Sequence, residues 1–351
     1  MKLSDLGFDP WFEEHITSLH EDDRSIARIS AVDRGSYLIR DELKEVPAEL
    51  SGKLSYQTGN AVGLPCVGDW VTAQYYNQGK AAIIHRVLPR RTFLRRKTKG
   101  DAVDFQMIAA NIDTAFIVQS CHVDFNPRRL DRYLVMAADG HVEPMVILTK
   151  TDLISRDECE HKLAIVASVT KAKVLGLSNV TGIGFDAFQR ALSPGRTYCL
   201  LGSSGVGKTT LINRLIGREA FGTKPVSDTG KGTHTTSRRQ LILLAEGAML
   251  IDTPGMRELG LVGASDGVNT GFEDFVTLSA HCRYADCSHV HEPGCAVRTA
   301  IEKGELSEDR YSSYVKLKKE SEYHEMSYRD KRKKDRAFGR FIKTAKKRKK
   351  R

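Results

Sequence analysis

The sequence predicts a multidomain α/β protein: a small N-terminal β-barrel, a doubly wound sheet built around a phosphate-binding loop, and a zinc-binding helical C-terminal domain with a basic tail. The central observation is Gly202-Ser-Ser-Gly-Val-Gly-Lys-Thr-Thr210, set between the apolar run 198–201 and the amphipathic run 211–216. That context reads as strand, glycine-rich turn and helix. Between residues 25 and 91, short apolar runs alternate with Gly, Asp and Asn turns; after Asp104, apolar runs alternate with helical periods. Near the C-terminus stands Cys282-x4-Cys287-x-His289-x5-Cys295.

Size and charge bound the reading. A chain of 351 residues exceeds one ordinary core, so two or three domains are expected. The divisions fall at 1–22 (extension), 23–98 (barrel), 99–263 (nucleotide domain), 264–330 (zinc domain) and 331–351 (tail). The net charge of +10 is local: residues 331–351 hold thirteen Lys/Arg against Asp335 alone, which leaves the remainder at −2. Such a block cannot bury a core, and polyanions are its natural partner; a solubilising or localisation-type run is the plainer account. No apolar run reaches membrane-spanning length and no secretory pattern opens the chain, so a cytoplasmic protein without membrane contact is expected. Seven cysteines, an odd number, fit a reducing compartment.

An amphipathic stretch around Trp11, Phe12 and Ile16 precedes the barrel, whose β-like runs are 26–29, 36–39, 69–75 and 81–85. Arg90, Arg91, Arg95, Arg96 and Lys97 follow with Phe93. At a barrel rim they would suit single-stranded RNA; a solvated basic linker explains them equally well. Residues 114–118, 144–148 and 173–177 then read as buried parallel strands, with a helix over 129–138. The strand before the phosphate loop and runs 240–244 and 249–251 complete the sheet, whose ligands belong beyond the strands' carboxyl ends.

Gly202, Gly205 and Gly207 let the loop turn its N–H groups inward, with Ser203, Ser204 and Val206 between them. Lys208 aims charge at the β- and γ-phosphates, the Thr209 hydroxyl suits Mg²⁺, and Thr210 follows. Thr149-Lys150-Thr151-Asp152 closes a strand. Guanine presents adjacent N1–H and N2–H donors that the Asp152 carboxylate can accept together, and adenine has no such pair; the Lys150 stem lies over the base. Ser178-Asn179 ends the next strand and offers backbone N–H groups to the base oxygen, although a plain polar turn explains it as well. Asp252-Thr-Pro-Gly255 offers Mg²⁺ a carboxylate through water and the γ-phosphate the Gly255 N–H. In Gly230-Lys-Gly-Thr-His-Thr-Thr-Ser237, Thr235 or Thr236 would complete the Mg²⁺ shell.

The order of these motifs is informative. A conventional G domain runs from phosphate loop through switch threonine and D-x-x-G to the base-reading K-x-D; here the base-reading residues come first. The domain is circularly permuted, cut after D-x-x-G, so the segment holding Asp252 and Gly255 runs straight into the C-terminal domain. There, three thiolates and one imidazole from Cys282, Cys287, His289 and Cys295 saturate a tetrahedral Zn²⁺ and make the site structural. His281 and His291 are surplus to that shell, and Cys66, Cys121, Cys159 and Cys199 read as ordinary packing or surface residues.

Taken together, T-K-x-D before G-x-x-x-x-G-K-T-T, G-x-x-H-T-T, D-T-P-G and C-x4-C-x-H-x5-C resemble the small-subunit-dependent GTPases of the RsgA (YjeQ) family, over roughly residues 25–310. The resemblance implies an OB fold for the barrel, GTP bound with Mg²⁺, structural zinc, and a subunit-stimulated GTP hydrolase that acts on the 30S subunit and its 16S rRNA late in assembly. A monomer is expected. The family usually has Asn where this chain has Thr149, which would weaken contacts around the base, and Met256 stands where many GTPases place a water-orienting Gln. The resemblance gives that catalytic part to His234, which reads equally as a loop residue facing RNA or solvent. The rival class is a nucleotide-gated rRNA-binding module with little turnover; an ATP-using kinase is disfavoured by Asp152.

Overall fold

The computed structural model describes residues 1–17, 24–33, 35–58, 62–97, 105–122, 125–217, 239–252 and 265–325. His234, Thr235, Thr236, Gly255 and the basic tail lie outside them.

Helix α1 (Pro10–Thr17) lays Phe12 against Trp70 and Leu6 in a small core of its own. Five strands follow: β1 (Ser25–Asp33), β2 (Ser36–Arg40), β3 (Glu45–Leu50), β4 (Trp70–Tyr76) and β5 (Ala81–Val87), with helix α2 (Gly52–Gln57) between β3 and β4. The pairing runs β1-β2-β3-β5-β4 and returns to β1, so the sheet closes on itself and has no free edge. Only β3 and β5 pair in parallel. This is a five-stranded OB-type barrel. Alternate residues Ala27, Ile29, Ile39, Val46, Ala48, Val71, Ala73, Ala82 and Ile84 fill it, as the two-residue period requires.

Two strands beyond the barrel, β6 (Phe93–Lys97) and β7 (Phe105–Ala110), form an antiparallel ribbon. Here the structure corrects the reading of the cationic run. The Arg95 guanidinium lies 5.2 Å from the Phe93 ring and 4.4 Å from Phe105, and binds both carboxylate oxygens of Asp139 at 2.9 and 3.0 Å. Arg90 makes a two-pronged pair with buried Asp69, at 2.8 and 2.7 Å, and Arg91 joins Asp9 to Asp113. Arg90, Arg91 and Arg95 are thus not a solvated linker: Arg90 braces the barrel, Arg91 ties the N-terminal segment to the nucleotide domain, and Arg95 ties the ribbon to α3.

The second sheet has the order β10 (Lys173–Gly176), β9 (Glu143–Thr149), β8 (Thr114–Ser120), β11 (Thr197–Leu201), β13 (Met249–Asp252), β12 (Arg239–Leu243). The first five are parallel and β12 is antiparallel. Joining β13 back to β8 would restore the conventional motif order without moving a strand, which is what circular permutation means in space. Along β8, Ala115 and Ile117 face a core formed with α3 (Pro127–Asp139) and α4 (Arg156–Val169), while Phe116 and Val118 face one formed with α5 (Phe185–Gln189) and α6 (Lys208–Ile216). Both faces are covered, hence the continuous apolar runs. Local chemistry starts the helices: Asn126 accepts the Arg129 N–H at 3.2 Å ahead of Pro127, and Ser155 accepts the Glu158 N–H at 3.2 Å.

The barrel and this sheet are continuous, because β12 also pairs with β1 at Ala31↔Gln240 and Val32↔Arg239. Arg28, buried and over the Trp70 ring, donates to the carbonyls of Leu6, Gly68 and Asn111, one in each of three segments.

The C-terminal helices are α7 (Ser265–Gly271), α8 (Glu273–Ser279), α9 (Ala296–Glu302) and α10 (Glu308–Glu325). Helix α7 lies so close on α3 that a Cβ at Gly267 would stand 2.6 Å from the Val135 carbonyl oxygen. Phe272, Phe275, Tyr311, Tyr314 and Leu317 join Leu130, Tyr133 and Leu134 of α3 in one core, with Cys287 and Cys295 in it. Arg132 of α3 grips Glu320 of α10 at 3.1 and 2.7 Å. Among the described residues, no helix is long and apolar enough to cross a membrane.

Candidate nucleotide and metal sites

The glycine-rich loop leaves β11 at the carboxyl edge of the sheet. Gly202 has φ +153°, and a Cβ there would stand 2.3 Å from the Val118 carbonyl oxygen, so only glycine fits. Val206 is buried and anchors the loop in the core, while Gly207, at φ +98°, caps α6. Lys208 is therefore the first helical residue; its ammonium donates to the carbonyls of Gly202 and Ser203 at 2.7 and 2.5 Å. Thr209 is partly exposed and Thr210 exposed. Asp252 ends β13 in this neighbourhood. Burial raises its carboxyl above the usual carboxylate range, opposed by the charge of Lys208.

Thr149, fully buried, ends β9 and points into the same loop. Its hydroxyl lies 2.6 Å from the Val206 carbonyl oxygen and 3.1 Å from that of Gln119; with one proton it donates to the nearer. Lys150 has φ +60°, and residues 151–153 make a single 3-10 turn that leaves Thr151 partly exposed and Asp152 exposed beyond the sheet. Ser178 builds the adjoining loop: its N–H donates to the Ile183 carbonyl at 2.9 Å, and its hydroxyl accepts from the N–H groups of Val180 and Thr181 at 3.1 Å each. The structure thus brings Thr149–Asp152, Ser178, Gly202–Thr210 and Asp252 to one edge of the sheet.

Two arginines there were not legible in the sequence. Arg129, in the first turn of α3, donates to the Ser203 hydroxyl at 2.6 Å. Arg214 of α6 donates to the Asn179 carbonyl at 2.9 Å and lies over the Phe185 ring at 4.3 Å, holding loop 178–184 against the helix. Their partners are 74 and 35 positions away, and no local pattern marks them.

The second site is compact. One donor atom from each of Cys282, Cys287, His289 and Cys295 lies within 4.8 Å of the other three. His289 Nδ1 is 3.6 Å from Cys282 Sγ and 3.5 Å from Cys295 Sγ, and those two sulfurs are 4.0 Å apart. A tetrahedral ion with metal–S of about 2.3 Å and metal–N of about 2.0 Å requires roughly 3.6 Å between S and N and 3.8 Å between sulfurs. A disulfide would require about 2.05 Å. The Cys₃His cluster therefore has the spacing that a tetrahedral metal ion requires.

Its surroundings orient the ligands. Ser279 donates its hydroxyl proton to the Phe275 carbonyl at 2.7 Å, so at 3.0 Å it accepts from His289 Nε2–H and leaves the Nδ1 lone pair toward the sulfurs. Burial lowers the His289 pKa and keeps the ring neutral, as a ligand must be. Burial raises the Cys287 thiol; against the same cost, the N–H groups of Ala296 and Val297 hold the Cys282 thiol below its usual range.

Comparison with known proteins now decides the family. The RsgA GTPase family pattern matches residues 87–262. The Small ribosomal subunit biogenesis GTPase RsgA of Opitutus terrae is 40% identical over 334 residues, 92% of this chain and 90% of its own length. This chain belongs to the RsgA GTPase family. RsgA 2 of Vibrio vulnificus is 38% identical over 339 residues, 96% of this chain and 93% of its own. Among solved structures, YjeQ from Thermotoga maritima superposes with a TM-score of 0.64 at 25% identity, covering 85% of this chain and 98% of that one. YloQ, described as a circularly permuted GTPase, gives 0.60 at 25% identity, covering 88% and 99%. As an RsgA-family member the chain is a GTP hydrolase, and its strand order is that of the permuted fold.

Proposed function

We propose that this chain hydrolyses GTP to GDP and phosphate in the biogenesis of the small ribosomal subunit. It binds the 30S particle and its 16S rRNA as a cytoplasmic monomer, turns over faster when bound, and leaves when GTP is spent. The supporting observation is the union of two sites through one helix: α3 touches the phosphate loop through Arg129 and the metal-bearing domain through Arg132 and Val135.

In this reading Asp152 accepts the guanine N1–H and N2–H, and the N–H groups of 202–210 with Lys208 hold the phosphates. Mg²⁺ arriving with GTP would be held by Thr209, by Thr235 or Thr236, and through water by Asp252, and would neutralise charge on the β- and γ-phosphates. The Gly255 N–H senses the γ-phosphate, and His234 orients the attacking water. Zinc fills the Cys₃His site, where thiolate-rich, closed, tetrahedral ligation suits it and gives it a structural part only. The basic tail, residues 331–351, adds sequence-independent attraction to rRNA.

The test is phosphate release from GTP by metal-loaded protein, with and without small subunits, beside Lys208→Ala and His234→Ala. Subunit-stimulated release lost in both variants is the expected result. Salt-sensitive subunit binding without turnover would leave a nucleotide-gated rRNA-binding protein and refute the enzymatic reading.

A further inference from the structure

Three arginines stand in the first two turns of α3, and they reach different elements. Arg128 and Arg132 meet carboxylates of α10, those of Asp309 and Glu320. Arg129 turns to the phosphate loop instead, where its guanidinium donates to the Ser203 hydroxyl at 2.6 Å. It stays partly exposed there. Neither the glycine-rich loop nor the base-reading turn contains this residue, and the steps proposed for hydrolysis give it no part.

The start of α3 is fixed in place. Asn126 accepts the Arg129 N–H at 3.2 Å, and the buried Gln119 of β8 donates its side-chain amide to the Asn126 carbonyl at 2.8 Å. Strand β8 is the parallel neighbour of β11, with Ile117 opposite Leu201. The guanidinium therefore comes to the loop from the β8 side, while Asp252 ends β13 on the other side of β11. Two cations meet at one residue: Lys208 donates to the Ser203 carbonyl at 2.5 Å, and Arg129 to the hydroxyl of the same serine. A lysine at this position of a phosphate loop reaches the β- and γ-phosphates. One serine and two hydrogen bonds separate its ammonium from the guanidinium, so a terminal phosphate held by Lys208 lies within the swing of the arginine side chain. The hydroxyl is a neutral partner, and phosphate oxygens bind a guanidinium more strongly and in two-pronged fashion.

We propose that Arg129 is a catalytic residue for GTP hydrolysis, its guanidinium binding γ-phosphate oxygens from the β8 side when GTP fills the loop. This rests on the reading of the loop as a GTP site. In the reaction a water oxygen bonds to the γ-phosphorus and the bond from that phosphorus to the bridging oxygen breaks, leaving the electron pair on GDP. Of the two water protons, one stays on the released phosphate and one goes to solvent; Arg129 keeps its own throughout. Charge in the transition state is spread over the three equatorial oxygens of the group in transit. Lys208 serves the β- and γ-phosphates together, and Arg129 adds a second cation to the γ-phosphate alone. GDP lacks that group, so the assignment separates turnover from GDP binding.

The experiment uses full-length, metal-loaded protein as wild type, Arg129→Ala, Arg129→Met, which keeps the stem and drops the charge, and Arg129→Lys, which keeps the charge. Two quantities are read: the dissociation constant for GDP, and the single-turnover rate of phosphate release from bound GTP with small ribosomal subunits present. A hydrogen bond to a charged group is worth about 10- to 100-fold. Arg129→Ala and Arg129→Met should release phosphate slower by that factor and bind GDP as wild type does, and Arg129→Lys should recover at least part of the rate. Weaker GDP binding with an unchanged rate per bound GTP would mean that Arg129 only supports Ser203. A wild-type rate in Arg129→Met, or a rate in Arg129→Lys no better than in Arg129→Met, would remove the charge from the reaction. Each of these results overturns the proposal. Should Arg129→Ala fail to fold, Arg129→Met and Arg129→Lys decide it. Failure of wild type to bind GDP, or to release phosphate from GTP, would overturn the reading of the loop along with it.

Discussion

Phe275→Ala tests whether the metal-bearing helices and the nucleotide domain are one cooperative body. Phe275 is fully buried, stacks on Tyr314 at 4.9 Å and 18°, and meets Phe272 edge-on at 5.8 Å. Truncating a buried phenylalanine costs about 3–5 kcal/mol in transfer and cavity terms. Two aromatic pairs lost at about 0.5–1.5 kcal/mol each place this site toward the upper end. For a cooperative unit of 150–250 residues, about 2–4 °C per kcal/mol gives a fall in melting temperature on the order of 10 °C. The assay needs probes in the right place. Both tryptophans, Trp11 and Trp70, lie on the barrel side, so fluorescence alone would miss the lesion. Metal release, followed with a chromogenic chelator, reports the C-terminal helices, and GDP binding reports the nucleotide domain. Since Phe275 shares a core with Leu130, Tyr133 and Leu134 of α3, both midpoints should fall together. A metal-release midpoint that drops while GDP binding persists to the wild-type temperature would refute the shared core.

Three further outcomes are expected. Thr149→Val keeps the volume but deletes the hydroxyl that binds the buried Val206 carbonyl, so the ligand-free protein should lose about 1–3 kcal/mol of stability in urea unfolding. Asp131 is buried, and burial raises its carboxyl pKa, opposed by Ser313 and by the charge of Arg310. A raised folded-state pKa contributes stability that is complete below the unfolded value and lost as pH climbs through the folded one. Asp131→Asn should therefore stabilise at pH 7–8 and give no gain near pH 3, as urea unfolding at the two pH values would show. Ser279→Ala removes the acceptor that fixes the His289 tautomer, and metal affinity measured by chelator competition should fall about 10- to 100-fold.

What the sequence disclosed, it disclosed through local patterns. The glycines of 202–207, the turn after β9 and the four metal ligands each satisfy a chemical requirement within a dozen or so neighbours, and the apolar runs of β8 to β11 carry their period on their face. Strand β3 escaped because Pro47 interrupts it; the ring sits on the exposed side, and Val46 and Ala48 still point inward. The β6–β7 ribbon escaped for another reason. Its Arg95 is satisfied by Phe105 and by Asp139, ten and 44 positions on, so a side chain that is a half-buried strut in the fold looks in the sequence like a solvated charge.

The same distance effect hid a second connection between the phosphate loop and the C-terminal helices. The motif order couples the two sites through the chain that leaves Asp252. Helix α3 supplies a second connection: Arg128 reaches Asp309, Arg129 reaches Ser203 and Arg132 grips Glu320, so both neighbours are held within about 6 Å of helix rise. A packed helix moves as a unit, and a shift that relaxes Arg129 from the phosphate loop must also load the Arg132–Glu320 pair. Wild type is expected to show different amide exchange in α10 with GDP and with a non-hydrolysable GTP analogue, and Arg129→Leu is expected to erase that difference while the metal stays bound. If the α10 difference persists in Arg129→Leu, the signal travels only through the segment after Asp252, and α3 is a passive support.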